Sequence, residues 1–309
     1  MAKKAYRVRN WREYNKALVN RGRISFWIDE KAIKEWYLPS SNNGHRGRPK
    51  KYSNTAVLTI LVLKQAYRLT LRNTQGFMES LFQLLGINLE IPSYTQICRR
   101  QGEIQLPKFP MMTSPIHLVV DSTGLKIYGE GEWKVRQHGW SKHRTWRKLH
   151  IGIDEKSNLI VCADLTENSC GDDKMLPKLL EQYPGSLSQV SADGAYDSHA
   201  NFDLITSQGA IPTIPTQPHP KHKSKKKSDV KRARDEVVWQ IQKLGRDKWK
   251  QESGYHRRSL AENAIYRYKS ILGERLLSRK LENQRSESLV RCHMLNQITM
   301  KGMPISVEI

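Results

Sequence analysis

Residue 108 marks a change of texture that limits the folds open to this chain. Before it, apolar residues recur at helical intervals: Ala56, Leu58, Ile60, Leu61, Leu63 and Tyr67 between positions 53 and 69, then Phe77, Leu81, Leu84 and Leu85 between 70 and 85. Beyond the proline-rich linker PKFPMMTSP, short strand-like runs take over at 116–121, 148–154, 159–166, 189–193 and 210–216. Helical spacing separates the later runs at 174–183 and 199–207, and the best helical signal of the second half spans 259–275. Three strands, a helix, a strand, a helix and a strand predict an α/β layer fold with a mixed sheet flanked by helices. A chain of 309 residues exceeds one typical domain. The expected division is an all-helical domain at 1–107 and an α/β domain at 108–309, the latter with a basic insertion at about 217–254.

Charge narrows the partners. Lys and Arg number 52 against 30 Asp and Glu, a formal net charge of +22, which draws polyanions by long-range attraction and counterion release. Nucleic acid is the first candidate. A membrane is not expected, because no run of 18 or more apolar residues and no long basic amphipathic helix occurs. The start, MAKKAYRVRNWREY, lacks the apolar block of a signal peptide, so an intracellular protein is expected. Cys98, Cys162, Cys170 and Cys292 show no C-x-x-C spacing, against both a zinc ribbon and a disulfide framework. His219 and His222 lie in a Pro- and Lys-rich stretch without a second ligand pair, which reads as a solvated loop.

The helical part carries two features suited to DNA. Residues 10–13 and 93–96 have the form of capping boxes, and helix, tight turn, helix and the short capped helix at 93–100 make a helix-turn-helix-like unit ending in Arg99 and Arg100. A plain helical bundle fits the same pattern. Ahead of it, NNGHRGRPKKY holds Arg46-Gly47-Arg48-Pro49 and Lys50. Glycine lets the backbone lie flat in a narrow groove while two arginines enter its negative potential, so the segment resembles a minor-groove reader of the AT-hook type, or else a basic hinge.

In the α/β part, two apolar runs each deliver a carboxylate: Asp121 after 116–120, and Asp193 after 189–192. Open α/β sheets place ligand sites at the carboxyl ends of strands. A third acid, Glu262, lies in GYHRRSLAENAIYRYKS at the start of the long helical signal. Three converging carboxylates raise one another's pKa unless a cation joins them, and hard oxygen ligands suit Mg²⁺ or Mn²⁺. Simpler roles exist for each. Asp121 and Asp193 precede Ser-Thr-Gly and Gly and fit turns, Glu262 fits a capping box with Ser259, and Asp154 and Asp164 also lie near strand ends.

Tyr255, Arg258, Glu262 and Lys269 have the spacing Y-x2-R-x3-E-x6-K, which resembles the signature of DDE transposases of bacterial insertion sequences, in the superfamily holding the insertion-sequence-four and insertion-sequence-five groups. IHLVVDSTGLKIYGEGEWK, WRKLHIGID, ADGAYD, LNQITMKGMP and NWREYNKALVNRG look like the insertion-sequence-five family, so the resemblance spans nearly the whole chain. It implies a ribonuclease-H-like core with Asp121, Asp193 and Glu262 as a catalytic triad holding Mg²⁺, with Mn²⁺ substituting. It also implies DNA contacts by Tyr255, Arg258 and Lys269, and an N-terminal DNA-binding domain. The implied reaction is hydrolysis at the ends of a mobile element, then attack of the freed 3′-hydroxyl on target DNA. The implied partners are double-stranded DNA and a second copy of the chain, in the bacterial cytoplasm beside the nucleoid. Trp133, Trp140 and Trp146 in a basic stretch are candidates to stack on a frayed base, although packing is the commoner fate of Trp. Two rivals stay open, an inactive DNA-binding relative and a metal-dependent nuclease that never joins.

Overall fold

The computed structural model describes residues 6–39, 50–127, 146–216 and 232–309. The chain divides into two compact units, Met1–Pro107 with Leu277–Ile309, and Lys108–Leu276. A unit boundary thus falls where the texture changes, whereas residues 277–309, expected in the α/β domain, cluster with the N-terminal helices.

The first unit contains α1 (Trp11–Arg21), α2 (Glu30–Lys34), α3 (Asn54–Ala66), α4 (Leu71–Leu84) and α5 (Tyr94–Gln101). Side-chain oxygens of Ser53 and Thr70 accept from the Ala56 and Asn73 amides and so start α3 and α4, and Ser93 forms a full capping box with Gln96 at α5. The box expected at 10–13 does not form. Asn10 instead donates to Met303 O at 2.9 Å and accepts from Ile305 N at 2.7 Å. That contact accompanies a two-stranded antiparallel sheet of β1 (Tyr6–Val8) and β8 (Ser306–Glu308), so the unit is not all-helical. Trp36, Ile60, Leu63, Met78, Phe82 and Ile97 form its core. The 21-residue helix near the C-terminus, Leu281–Lys301, packs on α3 and α5, with Gln101 donating to Asn283 O and Asn283 donating to Cys98 O.

In the second unit a six-stranded mixed sheet consists of β2 (Ile116–Ile127), β3 (Trp146–Asp154), β4 (Ile160–Glu167), β5 (Leu187–Ser191), β6 (Ile211–Thr213) and β7 (Arg275–Leu276). Its order is β4-β3-β2-β5-β6, with β7 also on β2. The first three strands are antiparallel neighbours, and β5, β6 and β7 join in parallel. Helices α6 (Leu176–Gln182), α7 (His199–Ser207), α8 (Ala233–Leu244), α9 (Arg246–Glu252) and α10 (Ser259–Arg267) flank it. Leu118, Val120, Val190, Tyr196, Phe202 and Trp249 belong to its core.

Two elements depart from expectation. Asp121 does not end its strand, because β3 keeps pairing with β2 as far as Lys126↔Trp146. The helix expected at 259–275 is α-helical only to Arg267, continues as a π-helix over Tyr268–Leu272, and breaks at Gly273, whose φ of 95° few other residues adopt. Beyond that glycine the chain enters β7 instead of extending the helix. Of the expected basic insertion, residues 217–231 lie outside the described residues, and the remainder forms α8 and α9.

Candidate active site

Strand register brings Asp121 and Asp193 to the same level. The parallel pairing of β2 with β5 ends at Val119↔Ser191, and each acid lies two residues beyond that last pair. On this edge of β2, the next partner is β7 at Lys126. Among the described residues, Asp121 therefore occupies an interval of β2 flanked by β3 on one side and by no strand on the other. Asp193 leaves β5 and caps the 3₁₀ turn Gly194–Tyr196, its Oδ1 accepting from Ala195 N at 2.9 Å. The turn-forming role is thus real for Asp193, but it engages one oxygen. Asp121 shapes no turn: its Oδ1 accepts from Ser122 N at 2.9 Å within the strand.

Glu262 reaches the same place through Arg258. The Arg258 guanidinium donates to Asp121 Oδ2 at 3.2 Å and to Glu262 Oε1 through its other terminal nitrogen. Arg258 closes the 3₁₀ turn Tyr255–Arg258 that leads into α10, and Glu262 stands one helical turn later on the same face. Ser259 donates to His256 O, so the capping box offered as an alternative for Glu262 is not made. The 3₁₀ turn is held from several sides. Gln189 on β5 donates to Ser253 O at 2.9 Å, Arg257 pairs with Glu155, and the Tyr255 ring packs 5.9 Å from Trp249.

Electrostatics tie the acids together. Burial lifts the Asp121 pKa above the usual carboxylate range, and Asp193 and Glu262 push the same way against the Ser122 amide and Arg258. The Asp121 side chain is only 12% exposed, while that of Glu262 is 53% exposed, so the site has a dry floor and a wet rim. Burial also raises the Tyr255 phenol, which feels Arg258, Asp193 and Asp121. The competing acids serve structure instead. Asp154 accepts from Ser157 N in the β3–β4 turn, and buried Asp164 accepts from Leu165 N at 2.7 Å.

The other residues singled out from the sequence are dispersed. Lys269 lies in the π-helical segment, where its charge acts on Glu274, beside the Lys126–Glu274 pair. In the first unit, Lys50 meets Glu103 at 3.4 Å, Arg99 is exposed at the end of α5, and Arg100 is committed to the Tyr52 carbonyl at 2.5 Å. Arg46, Arg48, Trp133 and Trp140 lie outside the described residues. Trp146 begins β3 and covers Gly124, where a Cβ would come within 3.2 Å of the indole. All four cysteines are free thiols.

The donor set suits a hard divalent cation: three carboxylates from separate elements, one of them desolvated and pressed by the other two. As placed, however, no three acids, imidazoles or thiolates among the described residues gather closely enough to hold an ion. Arg258 is the cation between Asp121 and Glu262.

No helix among the described residues is long and apolar enough to cross a membrane. Two solved structures are similar to this chain. One is a piggyBac transposase synaptic complex with hairpin DNA, at 10% identity and a TM-score of 0.40, covering 92% of this chain and 74% of that one. The other is an intasome of simian T-cell lymphotropic virus in complex with PP2A regulatory subunit B56 gamma, at 14% identity and a TM-score of 0.26, covering 72% and 67%. Two family models, each described as a transposase DDE domain, match residues 19–130 and 113–297. The second match takes in all three acids and more than half of the sequence: the chain belongs to the transposase DDE domain family.

Proposed function

We propose that the protein is a transposase of the insertion-sequence-five group, which binds the terminal inverted repeats of its element, hydrolyses phosphodiester bonds there and joins the 3′-hydroxyl to target DNA. The observation that carries the reading is the equal register of Asp121 and Asp193 beyond the last β2–β5 pair, with Glu262 linked to Asp121 through Arg258. The sheet order, with its second strand antiparallel to the first and its fourth and fifth parallel to it, supports a ribonuclease-H-like core.

Asp121, Asp193 and Glu262 would hold Mg²⁺ or Mn²⁺, which supplies activation of a water or 3′-hydroxyl and stabilises the leaving oxygen. The chain's own residues do the rest. Arg258 offers its guanidinium to a backbone phosphate, Tyr255 lines the approach beside it, and Lys269 adds charge further along the same segment. Burial of Asp121 keeps water away from one side of the reacting centre. The first unit, with exposed Lys50 and Arg99 and the segment holding Arg46 and Arg48, would bind the element ends, with Arg100 available only if it leaves the Tyr52 carbonyl. Two ends per element call for a dimer or larger assembly on DNA.

The test incubates the full chain with duplex carrying the element ends, a plasmid target and Mg²⁺. Wild type should cleave and join, while Asp121→Asn, Asp193→Asn and Glu262→Gln should bind the ends normally and do neither. Cleavage without joining would leave a nuclease, and chelator-insensitive binding without cleavage a DNA-binding relative. A variant that still cleaves removes its residue from the triad.

A further inference from the structure

Helix α4 turns toward solvent a face that the fold itself does not use. Thr74, Met78, Leu81 and Phe82 form its buried side. On the opposite side Arg72, Asn73, Gly76, Ser80 and Gln83 are all exposed, stepping by three and four residues about Gly76. The helix's single acid, Glu79, lies at the margin of this stripe and accepts from Gln75 Nε2 at 2.7 Å.

Polar exposure is the ordinary state of a surface helix, but two observations set this face apart. The first is Gly76. Glycine in a helix interior is destabilising relative to alanine, because it surrenders more backbone freedom on folding. Nothing among the described residues requires it here, since its backbone is helical and an added Cβ would meet no atom within 4 Å. A bare backbone at the centre of an exposed face suits a partner that lies close against the helix. The second is the choice of side chains around it: Arg, Asn, Ser and Gln are the types that hydrogen-bond base edges in the major groove, Arg to guanine and Asn or Gln to adenine.

The frame around α4 fits such a role. Four residues, 67–70, join it to α3, with Arg68 turning the chain at a φ of 53°, and that length is typical of paired helices that bind DNA. Helix α3 is buried along most of its length and offers no comparable face. Helix α5 supports α4 from the side: Tyr94 N donates to Gln75 Oε1 at 2.8 Å, and the Arg72 guanidinium lies 4.8 Å from the centre of the Tyr94 ring. Two of the last residues of α5 are themselves engaged, Arg100 with the Tyr52 carbonyl and Gln101 with the Asn283 carbonyl. Arg68 and Arg72 bring positive charge to the head of α4, which favours a polyanion as its partner.

We propose that α4 is the DNA-reading helix of the first unit, lying in the major groove of the element end with Arg72 and Asn73 on base edges and Gly76 where the helix backbone comes closest to the duplex. This rests on the proposed transposase function, to which it adds the element that tells one end sequence from another.

The test measures the affinity of the full chain for a duplex carrying the element end and for the same duplex with that end scrambled. Arg72→Ala and Asn73→Ala should each weaken binding to the element end about tenfold and binding to the scrambled duplex much less, because base contacts carry the sequence information. Gly76→Ala separates recognition from folding. It should raise the melting temperature by about 2 °C, as the change does at an open helical site, yet weaken binding to the element end about tenfold. Wild-type binding by Gly76→Ala, or a fall in its melting temperature together with its affinity, would overturn the proposal. So would equal losses on the two duplexes in Arg72→Ala and Asn73→Ala, which would reduce the face to a phosphate contact, or a wild type that binds both duplexes alike. A wild type that prefers the element end but never cleaves it ends the proposed function and leaves α4 to be decided by these comparisons. A wild type that cleaves at the ends while all three variants discriminate normally keeps the function and removes α4 from it.

Discussion

Arg258 Nη1 stands 3.2 Å from Asp121 Oδ2, joining residues 137 apart in sequence and placing a guanidinium beside a carboxylate proposed to hold a divalent ion. The same group pairs with Glu262 one helical turn later. In the proposed reaction, an internal cation of this kind would stabilise the acids before DNA arrives and would have to be displaced when an ion binds. Arg258 has somewhere else to go, since a phosphate matches its fork geometry as well as a carboxylate does.

Removing that internal cation should leave the acids hungrier for metal. Arg258→Gln is expected to bind Mn²⁺ about tenfold more tightly than wild type in the absence of DNA, a difference of about 1.4 kcal/mol, while its affinity for end-containing duplex falls. Isothermal titration of the DNA-free protein measures the first and gel shift the second. Equal or weaker Mn²⁺ binding by the variant would show that Arg258 does not compete for the ion.

Gly152 sets how closely β3 packs beneath the site. It pairs with Val120, next to Asp121, and a Cβ there would lie 2.4 Å from Cys162 Sγ and 3.0 Å from Leu118 Cδ1. Gly152→Ala should cost about 1–3 kcal/mol of stability, the usual penalty for overpacking, read from urea unfolding. Adding Cys162→Ala takes away the clashing sulfur and should recover most of the loss. Failure of that second change to rescue would mean that the strain lies against Leu118 instead.

What the sequence disclosed about the fold was local in character. The apolar spacing at 53–69 and 70–85 corresponds to α3 and α4, and the runs at 148–154 and 159–166 correspond to β3 and β4. Element lengths depart from the local signals where tertiary pairing overrides them. Ser122-Thr123-Gly124 has the composition of a turn, yet β3 draws it into the sheet, and Gly273 stops a helix expected to run on to Arg275. The helix at Leu281–Lys301 could not be assigned to a unit from its own pattern, because its partners Gln65 and Cys98 are remote in sequence. At the candidate site, Asp121 and Asp193 stand out in the sequence as carboxylates at or near strand ends, and Arg258 and Glu262 as parts of a spaced motif.

Acid should loosen both units through buried histidines. Burial holds the His150 and His293 pKa values down at about 4, against an ordinary 6.5. A depressed histidine contributes stability that is complete above pH 6.5, where neither state takes up the proton. It is lost as pH falls toward 4, because the unfolded chain protonates first. His150, with a fully buried side chain, should cost at most about 1.4 kcal/mol per pH unit within that window. Asp121, raised by burial, acts in the opposite sense, its ionisation costing stability as pH rises through its shifted value. Urea unfolding between pH 7.5 and 4.5 should show declining stability, with a shallower slope in His150→Gln. An identical slope in the variant would remove His150 from the account.

The strongest single stability effect is expected in the first unit, at a charge pair with almost no access to water. Arg291 donates to Glu287 Oε1 at 2.6 Å and to Gln65 Oε1 at 3.0 Å, and their side chains are 2% and 0% exposed for Arg291 and Glu287. Glu287 also accepts from the amides of Leu277 and Ser278, which together with Arg291 and Lys64 hold its carboxyl below the usual range despite burial. Breaking such a pair from one side strands a buried charge and costs about 3–5 kcal/mol, whereas replacing both partners with apolar groups can be close to neutral. Glu287→Gln and Arg291→Met should therefore each lower the urea midpoint sharply. Glu287→Gln should be the worse of the two, because it also weakens the acceptor of two amides and leaves both Arg291 and the buried Lys64 without their counter-charge. Glu287→Leu combined with Arg291→Met should lose less than the sum of the single changes, though not nothing, since the Leu277 and Ser278 amides still need an acceptor. Strict additivity would mean that the two residues stabilise the unit independently and that the ion pair between them contributes little.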